Sequence, residues 1–200
     1  MATAPSELLL GFYGDDFTGS TDAMEGLTRA GLRTVLFIKP PRPEHLTRYK
    51  GLRAVGVAGC SRTMSPAEMD VELGEVFRAL KELSLAMVHY KVCSTFDSSP
   101  QIGSIGHALD IGARVFATPV VPLQVGAPIL GRYCVFGNLF ARSGLDSDPY
   151  RLDRHPTMSR HPITPMNESD VHRHLAKQTT RRIELVDILS VSDVERATAK

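Results

Sequence analysis

Two adjacent carboxylates, Asp15 and Asp16, are the first candidates for chemistry in this 200-residue sequence. They follow the short apolar run 8–13 and precede a segment of small and hydroxyl-bearing residues at 18–22. Such a run predicts a buried strand, and in open α/β sheets the carboxyl ends of the strands face the ligand crevice. Two carboxylates there suit a hydroxylated ligand, a metal ion or a general base for a hydroxyl group. The alternative is that one of them only caps the following helix.

A second polar cluster follows a later apolar run, at residues 91–99. It contains a cation, hydroxyl groups and a carboxylate, of which the candidates are Lys91, Ser94, Thr95 and Asp97. Backbone N–H groups at the start of a following helix favour an anion. A small polyhydroxy acid would satisfy both clusters, with its carboxylate at Lys91 and its hydroxyls at the aspartates. The alternative is a polar turn that ends in a helix cap.

Two other segments of the sequence contain candidate ligand-binding residues. Arg62 follows a predicted strand and could clamp a carboxylate or a phosphate with its planar fork, although a surface arginine explains it equally well. Residues 161–170, which begin with His161, close a long loop and open a helix. His172 and His174 are two positions apart and do not share a helix face, so no metal site is predicted.

The elements that must position these residues alternate between strands and helices. The predicted strands are 8–13, 34–38, 54–58, 85–90 and 114–117. The predicted helices are 18–30, ending at Gly31, one that starts at the capping box of residues 65–68, and one from Ser99 to Gly112. This alternation predicts an α/β fold, a three-layer domain with a mostly parallel sheet.

Beyond residue 119 the pattern loosens. A strand is predicted at 134–140, a long polar loop at 141–166, a helix at 168–178 and a strand at 183–188. Another helix start, at residues 192–195, lies just before the last residue, Lys200. Because helices average ~11 residues, this favours a chain that continues into a second domain over a short terminal helix.

Composition limits the function classes. Lys and Arg total 23 against 22 Asp and Glu, which gives no electrostatic reason to expect nucleic acid or a membrane surface as a partner. No apolar run approaches the ~20 residues of a membrane span. The three cysteines are widely spaced without a CxxC pair, which indicates reduced thiols in a cytoplasmic protein.

Taken together, the polar segments resemble the four-carbon acid sugar kinase family, the ATP-dependent threonate, erythronate and 3-oxo-tetronate kinases. The matching segments are 14–22, 90–98, 103–106 and 161–170, in this order. The resemblance implies that residues 1–200 form an N-terminal domain that binds the sugar acid. It also implies that an ATP-binding domain, absent from these residues, uses ATP and Mg²⁺ and lies in a longer chain or a separate polypeptide.

The resemblance implies roles for the candidates as well. Asp16 or Asp97 would deprotonate the terminal hydroxyl that attacks ATP. Lys91 and Arg62 would hold the substrate carboxylate. The other substrate-binding residues would be Asp15, Thr18, Ser94, Thr95, His161 and Met166. The alternatives are a non-catalytic sugar-acid binding module, one half of a split kinase, or a hydrolase or aldolase of sugar acids.

Overall fold

A four-stranded parallel sheet is the central element of the computed structural model, which describes residues 8–144 and 146–190. Its strands are β1 (Leu10–Gly14), β2 (Thr34–Phe37), β3 (Ala54–Ala58) and β4 (Met87–Lys91). They lie in the order β2-β3-β1-β4, and every pairing is parallel. Helices connect and flank these strands, so the predicted α/β class with a parallel sheet is confirmed.

Five α-helices accompany the strands in the described residues. They are α1 (Phe17–Arg29), α2 (Pro43–Leu46), α3 (Pro66–Glu82), α4 (Ile105–Phe116) and α5 (Val171–Leu175). α3 begins at the predicted capping box, because the Ser65 N–H donates to the Glu68 carboxylate at 2.8 Å and the Ser65 hydroxyl accepts from the Glu68 N–H. α1 ends before Gly31, which has the expected positive φ of 84°.

The described residues form two compact units. The first unit contains the described residues up to 93 together with 108–121, and the second unit contains 94–107 together with the described residues from 122 onward. In the first unit, α3 contributes a buried apolar face to the core around β3. The buried positions of that face are those predicted from helical spacing: Met69, Leu73, Val76, Phe77 and Leu80.

The second unit contains an antiparallel sheet that the sequence pattern did not predict. Its strands are β5 (Arg132–Val135), β6 (Asn138–Arg142) and β7 (Pro149–Arg151). The single strand predicted at 134–140 is wrong, because Phe136 and Gly137 both have positive φ and turn the chain into a hairpin. The long polar loop predicted at 141–166 contains β7.

The helix predicted from Ser99 to Gly112 exists with different ends, and the strand predicted at 114–117 is wrong. α4 spans Ile105–Phe116, and the Ser99 hydroxyl instead closes a turn before it by accepting the Ile102 N–H at 2.9 Å. Gly112 does not end the helix but lies inside α4, facing the Phe77 ring, which a Cβ at this position would meet at 3.4 Å. The helix stops only before Ala117, whose φ is 52°.

Two predictions near the C-terminus fail as well. The helix predicted at 168–178 is only α5, capped by the Asp170 side chain. Residues 183–188 form no strand: Leu185 and Val186 are exposed, and no neighbouring strand pairs with this run. The helix start at 192–195 lies outside the described residues. None of the described helices has both the length and the apolar character that crossing a membrane requires.

Candidate functional site

The strand ends of the first unit bring the predicted residues to one edge of the parallel sheet. Gly14 at the end of β1 is paired with Ala58 of β3 on one side and Lys91 of β4 on the other. The Asp15 N–H then donates to the Lys91 carbonyl at 2.9 Å. Asp15 and Asp16 after β1, Arg62 after β3 and Lys91 at the end of β4 therefore lie at the edge where open α/β sheets bind ligands.

Asp16 begins α1. Its Oδ1 accepts a short hydrogen bond from the Gly19 N–H, so Asp16 is the N-cap residue of this helix. Asp16 therefore caps the helix, as the alternative expected of one of the two aspartates, but nothing shows that capping is its only role. Capping uses one carboxylate oxygen, and 28% of the Asp16 side chain remains exposed. The second oxygen, Oδ2, is available for another interaction.

Arg62 bridges both aspartates. Its Nε and Nη2 donate to the two carboxylate oxygens of Asp15 at 3.3 and 3.1 Å, and its Nη1 lies 2.6 Å from Asp16 Oδ2. The Asp15 side chain is only 5% exposed, whereas that of Arg62 is 23% exposed. We refer to Asp15, Asp16 and Arg62 as the aspartate–arginine cluster. With two carboxylates and one guanidinium, its ionised form has a net charge of −1.

Burial and Arg62 act on Asp15 in opposite directions. Burial raises the pKa of the Asp15 carboxyl, the hydrogen bonds and charge of Arg62 lower it, and the pKa remains above its ordinary value. The neighbouring charge of Asp16 also raises this pKa, and Lys91 lowers it. The ionisation of Asp15 therefore depends on the cations that face it.

Lys91 is the second cation of this edge. Its ammonium group donates to the Val92 carbonyl at 2.9 Å and lies above the first turn of α1. A Cβ on Gly19 would be 2.7 Å from both Lys91 Nζ and Asp16 Oδ1, which explains why this turn has a glycine. Within the described part of the chain, no carboxylate forms an ion pair with Lys91. Thr18 is exposed on the same turn.

A buried hydroxyl pair supports the turn that carries Arg62. The Ser61 hydroxyl lies 2.9 Å from the Tyr90 hydroxyl, and the Tyr90 ring stacks on Tyr13 with centroids 5.8 Å apart. Burial raises the pKa of Tyr90 far above its ordinary value, so this phenol stays neutral. Sequence reasoning missed both Ser61 and Tyr90, although each lies next to a predicted residue.

In the second unit, a tight loop encloses Asp97. The Thr95 hydroxyl donates to Asp97 Oδ1 at 2.7 Å, and the Thr164 hydroxyl lies 3.5 Å from Oδ2. Phe96, between Thr95 and Asp97, is 1% exposed and has a φ of 57°, which is unusual for a residue with a side chain. This buried anchor turns the loop so that both polar side chains converge. Ser94, just before it, is half-buried.

His161 is held by Thr164. The Thr164 N–H donates to His161 Nδ1 at 3.0 Å, so Nδ1 is unprotonated and the proton of the neutral ring is on Nε2. His161 is half-buried, and Thr164 links it to Asp97. Met166, which the resemblance assigned to substrate binding, is completely buried and packs inside the second unit. Thr164 lies in the matching segment but was not selected from the sequence.

Gln178 fastens the start of α4 in the same unit. Its Oε1 accepts from the Gly106 N–H at 3.2 Å, and its Nε2 donates to the Ser98 hydroxyl at 2.9 Å. Ser98 also lies 3.0 Å from His174 Nε2, and burial lowers the pKa of that histidine. These contacts connect the Asp97 loop to α5 and the residues after it.

Gly106→Ala is expected to destabilise the protein by about 1–3 kcal/mol, because overpacking at a tight site forces the backbone to shift. A Cβ there would be 2.6 Å from Gln178 Cβ and 2.7 Å from its carbonyl carbon. The matched control is Gly26→Ala in α1, where a Cβ meets nothing within 4 Å and the change should stabilise by up to ~1 kcal/mol. Urea unfolding measures both, and equal effects of the two changes would contradict the packing argument.

The sequence pattern of the family described as sugar-binding N-terminal domain matches residues 10–200. A 3-oxo-isoapionate kinase from Paraburkholderia graminis is 57% identical over 198 residues, covering 98% of this chain and 42% of the relative. A 3-oxo-tetronate kinase from Methylobacterium radiotolerans is 35% identical, covering 96% of this chain and 43% of the relative. A crystal structure from Salmonella typhimurium LT2 has a TM-score of 0.83 at 26% identity, covering 97% of this chain and 44% of that one.

The similarity extends along nearly the whole chain, which spans less than half the length of these relatives. The family pattern, the relatives and the parallel α/β fold agree with one another. The chain therefore belongs to the family of sugar-binding N-terminal domains, which are the N-terminal domains of four-carbon acid sugar kinases.

Proposed function

We propose that this chain is the sugar-acid-binding part of an ATP-dependent kinase that phosphorylates the terminal hydroxyl of a 3-oxo sugar acid. The observation that carries the proposal is the 57% identity over 198 residues to a 3-oxo-isoapionate kinase. The 3-oxo-tetronate kinase relative supports the same substrate class, since both substrates combine a carboxylate, hydroxyls and a 3-oxo group. Residues 1–200 act as one substrate-binding domain in this proposal.

The first unit would hold the carboxylate and the reacting hydroxyl. Lys91 has an ammonium group without a carboxylate partner in the described residues, and this group suits the carboxylate of the acid. Asp16 is the better candidate for the base, because 28% of its side chain is exposed and Asp97 is 5% exposed. Kinase catalysis consists mainly of positioning and charge stabilisation, which these groups can supply.

The second unit, taken by itself, also carries polar groups that suit the oxygens of a sugar acid. His161 can donate its Nε2 proton to an oxo or hydroxyl oxygen, while Thr164 keeps the ring in place. Ser94 and Thr95 carry hydroxyls for the same purpose, and Asp97 fixes the Thr95 hydroxyl. Met166 would support this loop from inside the unit rather than touch the substrate.

ATP and Mg²⁺ would be bound by an ATP-binding domain, in a longer chain or in a separate polypeptide. The described residues contain no group of three or more His, Cys, Asp or Glu side chains that could hold a metal ion. We propose that this kinase acts in carbohydrate metabolism and in the cytoplasm.

Isothermal titration calorimetry of this chain tests the proposal. The ligands are 3-oxo-isoapionate, 3-oxo-tetronate, threonate and erythronate, with erythritol as a control that lacks the carboxylate. We expect the 3-oxo acids to bind and erythritol not to bind. At a hundredfold excess over its Kd, a bound acid should stabilise the fold by ~2.7 kcal/mol. Failure of all four acids to bind, or equal binding of erythritol, would contradict the proposal.

Turnover tests the reaction class. A full-length kinase that carries this domain should form ADP only when the 3-oxo acid is present. Consumption of the acid without ATP would instead support a hydrolase or an aldolase.

A further inference from the structure

Arg62 contacts two carboxylates of its own chain at the edge of the parallel sheet. We propose that Arg62 is a positioning residue that holds Asp15 and Asp16 as an ionised pair, instead of clamping the carboxylate of the substrate. The inference rests on the proposed function for the identity of the ligand. The contacts that support it lie entirely within the first unit.

The geometry uses the whole guanidinium fork. Nε and Nη2 face the two oxygens of Asp15, and Nη1 faces Asp16 at 2.6 Å. The Arg62 N–H also donates to the Asp15 carbonyl at 3.1 Å, so backbone and side chain hold the same residue. A lysine cannot reproduce this arrangement, because its ammonium group is a compact point charge without a planar fork.

The charges explain why the pair needs this cation. Two neighbouring carboxylates, one of them buried, tend to keep a proton unless a positive charge compensates them. The groups that face Asp15 are Arg62, Asp16, Lys91 and Tyr90. Tyr90 is neutral, and Lys91 makes no ion pair with either aspartate in the described residues. Arg62 is therefore the group that compensates the pair through direct contacts, while Lys91 adds only the effect of its charge on Asp15.

The consequence for binding is a division of labour between the two cations. Ionised aspartates accept hydrogen bonds from substrate hydroxyls, whereas a protonated carboxyl loses part of this acceptor capacity. Because the fork of Arg62 already faces the aspartates, the substrate carboxylate is left to Lys91. Arg62 then acts on the substrate through Asp15 and Asp16.

The test compares Arg62→Lys with Arg114→Lys, a control whose arginine pairs with Asp70 at the surface, 3.5 Å away. The Kd of 3-oxo-isoapionate is measured by calorimetry from about pH 4 to pH 8, and the carboxyl carbons of Asp15 and Asp16 are titrated by NMR. A carboxyl with a raised pKa is protonated at higher pH, so binding is lost earlier as the pH falls. We expect Arg62→Lys to raise the midpoint of this loss by about one to three pH units, and Arg114→Lys to leave it unchanged.

Results that contradict this inference can be distinguished from results that contradict the proposed function. If Arg62→Lys weakens binding equally at every pH without moving the midpoint, Arg62 clamps the substrate and the inference is wrong. If the wild type binds none of the acids, the proposed function fails, and the NMR titrations still decide the inference. If Arg62→Lys does not fold, the wild-type titration decides alone: both carboxyls must be ionised at neutral pH, and a proton shared between them would overturn the inference.

Discussion

Asp16→Asn is expected to lower the turnover of a full-length kinase carrying this domain by about 10²–10⁴-fold, the usual contribution of a general acid or base. Asparagine keeps a side-chain oxygen that can cap α1 through the Gly19 N–H. It removes the negative charge that faces Arg62 and that, in the proposed reaction, would deprotonate the attacking hydroxyl. The measurement is kcat with the 3-oxo acid and ATP, together with the Kd of the acid, which should rise far less than kcat falls.

The control for this prediction is Asp70→Asn, which neutralises an aspartate at the surface of α3. This control should keep normal turnover and nearly normal stability, because exposed ion pairs contribute little. Near-normal turnover of Asp16→Asn would exclude Asp16 as the base. Asp97→Asn would then test the other predicted aspartate.

Lys91→Met is expected to weaken binding of the 3-oxo acid by about 10- to 150-fold, which corresponds to the ~1.5–3 kcal/mol of a hydrogen bond to a charged group. Methionine fills similar space along the half-buried stem but has no ammonium group for the substrate carboxylate. Binding of the uncharged erythritol should not change. Calorimetry with this 200-residue chain measures both affinities.

Lys50→Met is the matched control, since Lys50 is an exposed lysine of the same unit. It should leave the affinity for the acid unchanged. An unchanged affinity in Lys91→Met would show that the substrate carboxylate is held elsewhere, and the fork of Arg62 would become the first alternative.

Local signals were sufficient for the first half of the fold. The capping box at Ser65 and the helical spacing from Met69 to Leu80 predicted the start and the buried face of α3. Short apolar runs separated by turn residues predicted β1 to β4. These elements were predictable because propensity, capping and burial all favour the same local structure.

Local signals failed where packing decided the outcome. Glycine frequently ends helices, but Gly112 lies inside α4, where it packs against Phe77 of α3, and the helix continues to Phe116. The apolar run at 183–188 has strand propensity, but no strand edge pairs with it. In both cases a residue distant in sequence, or its absence, determines the local structure.

Residue type and strand–helix alternation are local properties, so the sequence alone predicted carboxylates, hydroxyls and a lysine at the strand ends of a parallel sheet. It also determined the family, through the order of these polar segments. The folded chain was needed to show that Asp16 caps α1, that Arg62 bridges Asp15 and Asp16, and that Met166 is buried. The groups with which a side chain forms hydrogen bonds or ion pairs depend on which strand ends are adjacent and on how deeply the side chain is buried. Both are properties of the folded chain.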